Sequence, residues 1–504
     1  MGSVRQITVF LLLLVTLTVA AAEDIPRQGC RRGTPRQETA LRRAQYPPFR
    51  CGGDFYKGTR HQLVVLASFK DRTFQGDENA TIEQWDKIFN TKNLSEPPFY
   101  GSVHDYFYAQ SYGLFDLVFD LQYVEVDECK KYRSTKDDDE NSQYLVDDVL
   151  EVLSTRDIDW SLYDWNGDGY INQLIIVFAG KGTSYGSYGG GYDTIWPHQW
   201  RLNEHLDLTT SDPSDFRDAC TFESNGNIYT VDVYCAVQEI GSKGGYDSFG
   251  TICHEYTHCF GFPDFYEGQK MYVGQWDLMD YGNMNDNGYC PAGYSAHERW
   301  QMEWLEPIEL KDPTTITGIH ALSEEGEAYL IRNDDYPSEY YIVENRQPIG
   351  FDTKLPGSGV IIFHIDYDES LWTSYDYNMQ VNTSYRQHYT IFPANNMSSI
   401  YSGSGWAYPY GVNNSLTDTS QPAAKLWHES SDGSLLMSKP LYNISVDSDG
   451  LASFDFMEDA SAIQSVEHSV IGSQRWYDLQ GRLLPGRPLS KGIYIVEGRK
   501  VVVK

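Results

Sequence analysis

Positive charge is the first scarcity. Across 504 residues, 39 lysines and arginines face 71 aspartates and glutamates, for a formal charge of −32. A chain of that sign repels a polyanion, which argues against nucleic acid as a partner. Long apolar runs are the second. Beyond Ala22 no stretch carries the roughly 20 apolar residues that a bilayer-crossing helix needs, so no transmembrane segment is expected there. Cysteine is the third, at eight residues. These permit disulfides without demanding them. Cys253 and Cys259 point apart along one helical stretch, whereas Cys220 and Cys235 flank a turn at Asn225-Gly226 and form a candidate bridge. What is abundant is globular: 41% hydrophobic residues, 22% charged, and 38 tyrosines suited to rigid surface and extended strands. The length suits two or three domains, each with its own core.

The chain opens on Arg5, an apolar run at 7–19 and the small-residue stretch Ala20-Ala21-Ala22, the pattern of a secretory signal peptide cleaved near Ala22. Residues 23–58 are rich in Arg, Gln, Pro and Gly and read as a pro-segment or leader. From Arg60 strands and helices alternate. Residues 61–69, 114–121 and 174–178 read as buried strands. Residues 82–89 and 103–111 read as helices, the second capped by Ser102 and broken at Gly113. Residues 143–153 form a helix with Leu145, Val149, Leu150 and Leu153 on its inner face. Such alternation gives an α/β (α+β) domain with an open twisted sheet backed by helices.

Asp164-Trp165-Asn166-Gly167-Asp168-Gly169-Tyr170-Ile171-Asn172 opens like an EF-hand loop, with oxygen-bearing side chains at positions one, three and five and glycine at six. It lacks the glutamate of position twelve, where Ile175 stands, and this absence excludes a full EF-hand. Two readings remain. One is a Ca2+ loop held by Asp164, Asn166, Asp168, Tyr170 and Asn172 that pins the following strand; the other is an Asp/Asn/Gly turn with no ion. Residues 193–200 follow a Gly/Tyr/Ser loop and suit an edge strand that accepts an extended peptide. His198 within them is read as bonded structurally beside aromatic neighbours.

The chemistry concentrates in Cys253-His254-Glu255-Tyr256-Thr257-His258-Cys259-Phe260-Gly261-Phe262-Pro263-Asp264. His254 and His258 lie one helical turn apart on one face, a spacing that lets two imidazoles grip one zinc ion with Glu255 beside the open coordination position. Gly261 ends the helix in a left-handed turn that is placed to carry Asp264 round as third ligand. Gly274-Gln275-Trp276-Asp277-Leu278-Met279-Asp280-Tyr281-Gly282 looks like a Met-turn, with Met279 beneath the metal. Together these make the extended metzincin arrangement with Asp in the third place. Three ligands leave the fourth position for a water whose pKa falls toward ~7, and Glu255 is placed to take its proton. Tyr281 resembles the metzincin tyrosine that helps to stabilise the tetrahedral intermediate; the alternative is a packed tyrosine. Cys253 and Cys259 are read as packing residues.

These stretches, with Tyr294-Ser295-Ala296-His297-Glu298-Arg299 and Trp304-Leu305, resemble the immune-inhibitor-A-like family of secreted bacterial zinc metalloproteases. The resemblance runs from Arg60 to Leu305. It implies a metzincin-like fold, Zn2+ as cofactor, His254, His258 and Asp264 as its ligands, Glu255 as general base, and a protein or peptide substrate. Pro48-Phe49-Arg50-Cys51-Gly52-Gly53 resembles the cysteine switch of matrix metalloproteases, in which the Cys51 thiolate blocks the metal. A Cys30–Cys51 disulfide or an idle thiol is the alternative.

A helix at 295–304 is expected to close that domain. From Pro307 the pattern turns to alternating apolar and polar residues, at 328–331, 340–343 and 359–365, which indicates an antiparallel β domain. Tyr341 and Trp372 are read as packing residues and His364-Ile365-Asp366 as structural. Residues 476–482 and 491–500 form strand-turn-strand units that resemble the C-terminal sorting domain of Bacteroidota proteins. That implies a secreted or cell-surface protein of a Gram-negative bacterium, with outer-membrane secretion machinery as a partner. The expected organisation is a signal peptide (1–22), a leader (23–58), a zinc metalloprotease catalytic domain (59–305), a β-rich accessory domain (306–460) and a sorting-like β segment (461–504). The competing reading is a surface adhesin on a protease scaffold, against which the complete zinc set argues.

Overall fold

A computed structural model describes residues 53–133, 141–185, 194–202, 220–241, 245–246, 249–324, 326–372, 381–458, 476–484, 488, 490–496 and 499–503. The expected signal peptide, the leader as far as Gly52, and with it Cys30 and Cys51, lie outside the described residues. Strand β1 (Gly58–Phe69) leads into helix α1 (Glu78–Asn90), which starts on Asp77, whose side chain accepts from Ala80 N. Helix α2 (Val103–Gln110) begins with a capping box, in which Ser102 and Asp105 each bond the other's backbone N–H. Strand β2 (Phe115–Val126) then pairs in parallel with β1 along its whole length. Helix α3 (Gln143–Leu153) follows with the expected inner face buried.

Strands β3 (Tyr170–Ile171), β4 (Leu174–Lys181), β5 (His198–Arg201), β6 (Thr221–Ser224), β7 (Asn227–Val231) and β8 (Val233–Ile240) complete this half. The main sheet has the order β2-β1-β4-β8-β5, parallel except for β5, which runs antiparallel along the edge. Its inner strands are buried on both faces, which is why Leu63 to Ala67 and Leu174 to Ala179 read as unbroken apolar runs. β6 and β7 form a hairpin that turns at Asn225 and Gly226, both with positive φ. In it Cys220 accepts through its carbonyl from Val231 N, while Cys235 pairs with Ile175 and Gln199 inside the main sheet. Cys220 keeps a free thiol, so the candidate bridge to Cys235 is not formed.

Helix α4 (Phe249–Cys259) packs against β8 and β5. Helix α5 (Ala296–Gln301) is shorter than the sequence suggests. It keeps a capping box between Ser295 and Glu298, but Glu303 adopts φ +58 and Trp304 N donates back to Arg299 O, the bond of a Schellman stop.

The second half is β-rich. Strands β9 (Ile308–Glu309), β11 (Ala328–Arg332), β12 (Glu339–Arg346), β13 (Gly359–Asp366) and β14 (Tyr389–Ile391) make a sheet of order β14-β13-β12-β11-β9. Alternate residues point to opposite faces of a strand. One face here carries Leu330, Tyr340, Ile342, Ile361, Phe363 and Tyr389 into the core of the first half. The other carries Tyr329, Ile331, Tyr341, Val343, Val360 and Ile362 into a second core. That second core is closed by β10 (Thr314–Ile319), β15 (Leu441–Val446) and β16 (Ala452–Phe456), in the order β10-β16-β15. Tyr341 and Trp372 are both buried, as packing residues should be. A separate four-stranded sheet, β17 (Trp476–Tyr477), β18 (Leu483–Leu484), β19 (Gly492–Val496) and β20 (Arg499–Val503), ends the described chain. Among the described residues no helix is long and apolar enough to cross a membrane.

Candidate metal centre

Helix α4 carries two imidazoles on one face because positions four apart are stacked one turn above the other. It lies so close to the turn at Asn283 that a Cβ on Gly250 would stand 2.1 Å from Asn283 O, so glycine is required there. Gly261 takes φ +108 and stops the helix, and its N–H donates to His258 O at 2.9 Å. The chain then doubles back and brings Asp264 to the same side as the histidines.

His254 Nε2 lies 3.3 Å and His258 Nε2 3.2 Å from Asp264 Oδ1. Among the described residues this is the one group of three or more His, Cys, Asp or Glu whose ligand atoms all fall within 4.8 Å of one another. All three side chains are buried. Each imidazole is held from behind, with His254 Nδ1 on Leu278 O at 2.9 Å and His258 Nδ1 on Phe262 O at 2.7 Å. A backbone carbonyl accepts only, so each Nδ1 carries a proton and each Nε2 is the nitrogen left facing forward. Despite their closeness, His258 Nε2 and Asp264 Oδ1 make no hydrogen bond and are buried. Atoms arranged in this way converge on a point rather than satisfy each other, and two nitrogens with one carboxylate oxygen suit a tetrahedral zinc ion with an open position.

Electrostatics agree with that geometry. Burial works against the charged form of His254, yet Asp264 and Glu255 carry its pKa up to about 9. Burial likewise opposes ionisation of Asp264, but His258 and His254 hold its carboxyl well below the usual range. The site attracts positive charge. Glu255, between the histidines in sequence, is 5% exposed.

Met279 is fully buried in the turn after α4, and its carbonyl accepts from Phe265 N at 2.9 Å. The turn is held by two buried carboxylates whose roles the sequence did not announce. Asp277 Oδ1 accepts from Met279 N at 2.8 Å. Asp280 Oδ2 accepts from Tyr272, Val273 and Gly274 N at 2.7 to 2.8 Å. Burial pushes the Asp280 pKa up to about 7, against those three donors. Tyr281, half-buried, donates its backbone N–H to Gly274 O at 3.1 Å. Tyr266, two residues past Asp264, lies parallel to His254 with ring centres 6.4 Å apart, a contact that nothing in the motif spacing signals. Cys253 is buried in the core and Cys259 Sγ lies 3.8 Å from Glu255 O, which is packing, as expected.

The other candidate residues do not join this group. Asp164 accepts through its carboxylate from Gly167, Asp168 and Gly169 N at 2.9 to 3.1 Å, Asp168 from Tyr170 N at 2.8 Å and Asn172 from Trp165 N at 2.6 Å. The loop, with Asn166 in it, feeds β3. His198 bonds Trp196 O at 2.6 Å and Tyr234 Oη at 3.2 Å, a structural histidine beside aromatic residues as the sequence suggested.

Residues 86–306 match the family described as "Immune inhibitor A peptidase M6, catalytic domain". The chain is similar to the "Pre-pro-metalloprotease PrtV" of two strains of Vibrio cholerae serotype O1, at 30% identity over 193 residues, 33% of this chain and 19% of each relative. It is also similar to "Immune inhibitor A" of Bacillus thuringiensis subsp. alesti, at 29% identity over 178 residues, 31% of this chain and 24% of the relative. The chain thus spans between 19% and 24% of the length of the curated relatives it matches.

Proposed function

We propose that this chain is a secreted zinc-dependent endopeptidase that hydrolyses peptide bonds in proteins. The observation that carries the reading is the convergence of His254 Nε2, His258 Nε2 and Asp264 Oδ1, with the two histidines locked by carbonyls through Nδ1. The matched peptidase catalytic domain supports it, as do two relatives named as metalloproteases. Those three residues hold the ion. Zinc bound there supplies Lewis acidity, which polarises a carbonyl and lowers the pKa of a water toward ~7.

Glu255 accepts a proton from water on its carboxylate and returns it to the leaving amine nitrogen. Met279 floors the site, and the Tyr281 hydroxyl donates to the oxygen that gains charge; an unchanged kcat in Tyr281→Phe would remove that role. Strand β5, antiparallel at the sheet edge and next to α4, pairs with an extended substrate backbone. The central test is casein hydrolysis by the full chain against Glu255→Ala, with metal analysis. Glu255→Ala should retain zinc and lose about 10²–10⁴-fold in rate. Equal rates in the two proteins would overturn the assignment.

The same reading extends to the flanks. The name of one relative, a pre-pro-metalloprotease, supports a signal peptide and leader here. Of the two readings of 164–172, a Ca2+ loop that pins β4 predicts a lower melting temperature on calcium chelation with zinc kept in place, and an unchanged one leaves the Asp/Asn/Gly turn with no ion. The terminal β segment directs the chain through outer-membrane machinery to the surface of a Gram-negative cell; normal release after deletion of 473–504 would refute it.

A further inference from the structure

We propose that Tyr389, supplied by the β-rich half, is a positioning residue for the metal centre, orienting His254 and Asp264 from behind. This rests on the zinc-peptidase reading and concerns how that site's ligands are held. Two arms run from this one side chain.

The first arm is polar. Tyr389 is fully buried at the start of β14. Its hydroxyl donates to Asp277 Oδ2 at 2.8 Å and also lies 2.8 Å from Ser295 Oγ. The other Asp277 oxygen takes the Met279 N–H at 2.8 Å. That N–H and the Leu278 carbonyl belong to one planar peptide unit, so fixing one fixes the other. The Leu278 carbonyl is the acceptor for His254 Nδ1. Tyrosine, carboxylate, peptide plane and imidazole therefore form a continuous chain of hydrogen bonds ending on a metal-facing ring.

The second arm is apolar and backbone-borne. The Tyr389 ring stacks on Phe265, the residue after Asp264, with centres 4.0 Å apart and planes at 22°. Asn382 clamps the pair: its Nδ2 donates to Phe265 O and Tyr389 O, both at 2.7 Å, and its Oδ1 accepts from His388 N and Tyr389 N, both at 2.8 Å. Phe265 N in turn donates to Met279 O. Both arms thus end beside a candidate ligand, and both start outside the segment that carries the zinc motif.

Outer partners of metal ligands tune affinity about 10- to 100-fold, and one bond further out the low end is expected. The experiment uses the full chain as wild type, Tyr389→Phe and Tyr341→Phe, with zinc affinity read by competition with a chromogenic chelator and stability by thermal unfolding. Tyr341 is the control because its hydroxyl bonds Lys425 O from the opposite face of the same sheet. Tyr389→Phe keeps the stack but loses the hydroxyl, and should weaken zinc binding about tenfold. Tyr341→Phe should lose stability while its zinc affinity stays that of wild type. Equal zinc affinity in Tyr389→Phe and wild type overturns the positioning role and leaves the peptidase reading standing. A folded wild type that holds no zinc overturns both. Should Tyr389→Phe not fold, Asp277→Ala removes the next link of the same chain and is judged by the same loss.

Discussion

Each half of this protein buries a cluster of histidines and carboxylates, and the two clusters differ in whether their atoms satisfy one another. In the β-rich half, Glu339 on β12 meets His364 Nε2 at 2.7 Å and takes the N–H groups of Trp427 and His428. Asp366 at the end of β13 lies 2.9 Å from His428 Nε2 through one oxygen, and through the other 2.8 Å from Arg386 Nε and 3.1 Å from His388 Nδ1. Burial alone would raise the Asp366 pKa, but His388 and Arg386 bring it down to about 2. In the α/β half, carbonyls occupy the rear nitrogens and the forward atoms are left facing a common point. The same residue types serve opposite ends. A network that closes on itself, with a guanidinium as its cation, ties strands together; one whose forward atoms go unsatisfied suits the metal ion proposed above.

The contrast is easiest to break by metal content. His258→Ala should lose bound zinc and casein cleavage to background, whereas His364→Ala should keep stoichiometric zinc. Full zinc in the first, or loss in the second, would erase the distinction. Next in size is stability. Asp366→Ala leaves its basic partners uncompensated and should cost about 3 kcal/mol in urea unfolding, part of the cost being relieved because Arg386 reaches solvent, with zinc unchanged. The smallest effect is in acid. The folded pKa of Asp366 lies below its ordinary 3.8, so its contribution is fully present above about pH 4 and drains away as pH falls toward about 2. Asp366→Asn should flatten that part of the stability curve, and an unaltered slope would show that Asp366 is not its source.

The α/β half was legible because its signals are local. The cap at Ser102, the inner face of α3 and the histidine spacing of α4 each lie within about one to three helical turns, and the same short range carries Asp264 round through Gly261. The histidine network of the β-rich half was not legible beyond His364-Ile365-Asp366, because its members lie between 339 and 428 and meet only through sheet register and returning loops. Residues 328–331, 340–343 and 359–365 read correctly as strands, but not as a sheet with two cores. β13 is buried at every position, and its apolar run 360–363 breaks the expected apolar/polar alternation, so nothing in it says which neighbour each face meets. The short α5 escaped for a related reason: a left-handed Glu303 is imposed by the Schellman bonds around it, and glutamate gives no warning of it.

The two-faced sheet also sets an order of assembly. The His254/His258 motif leaves the ribosome well before Tyr340, Phe363, Tyr389 and Trp406, yet those residues belong to the core on which its own half is packed. A nascent chain therefore carries the motif without the surface that packs against it, and burial becomes complete only when the second half has arrived. For the peptidase proposed above, lateness is protection: the site is completed only after the second half has been made.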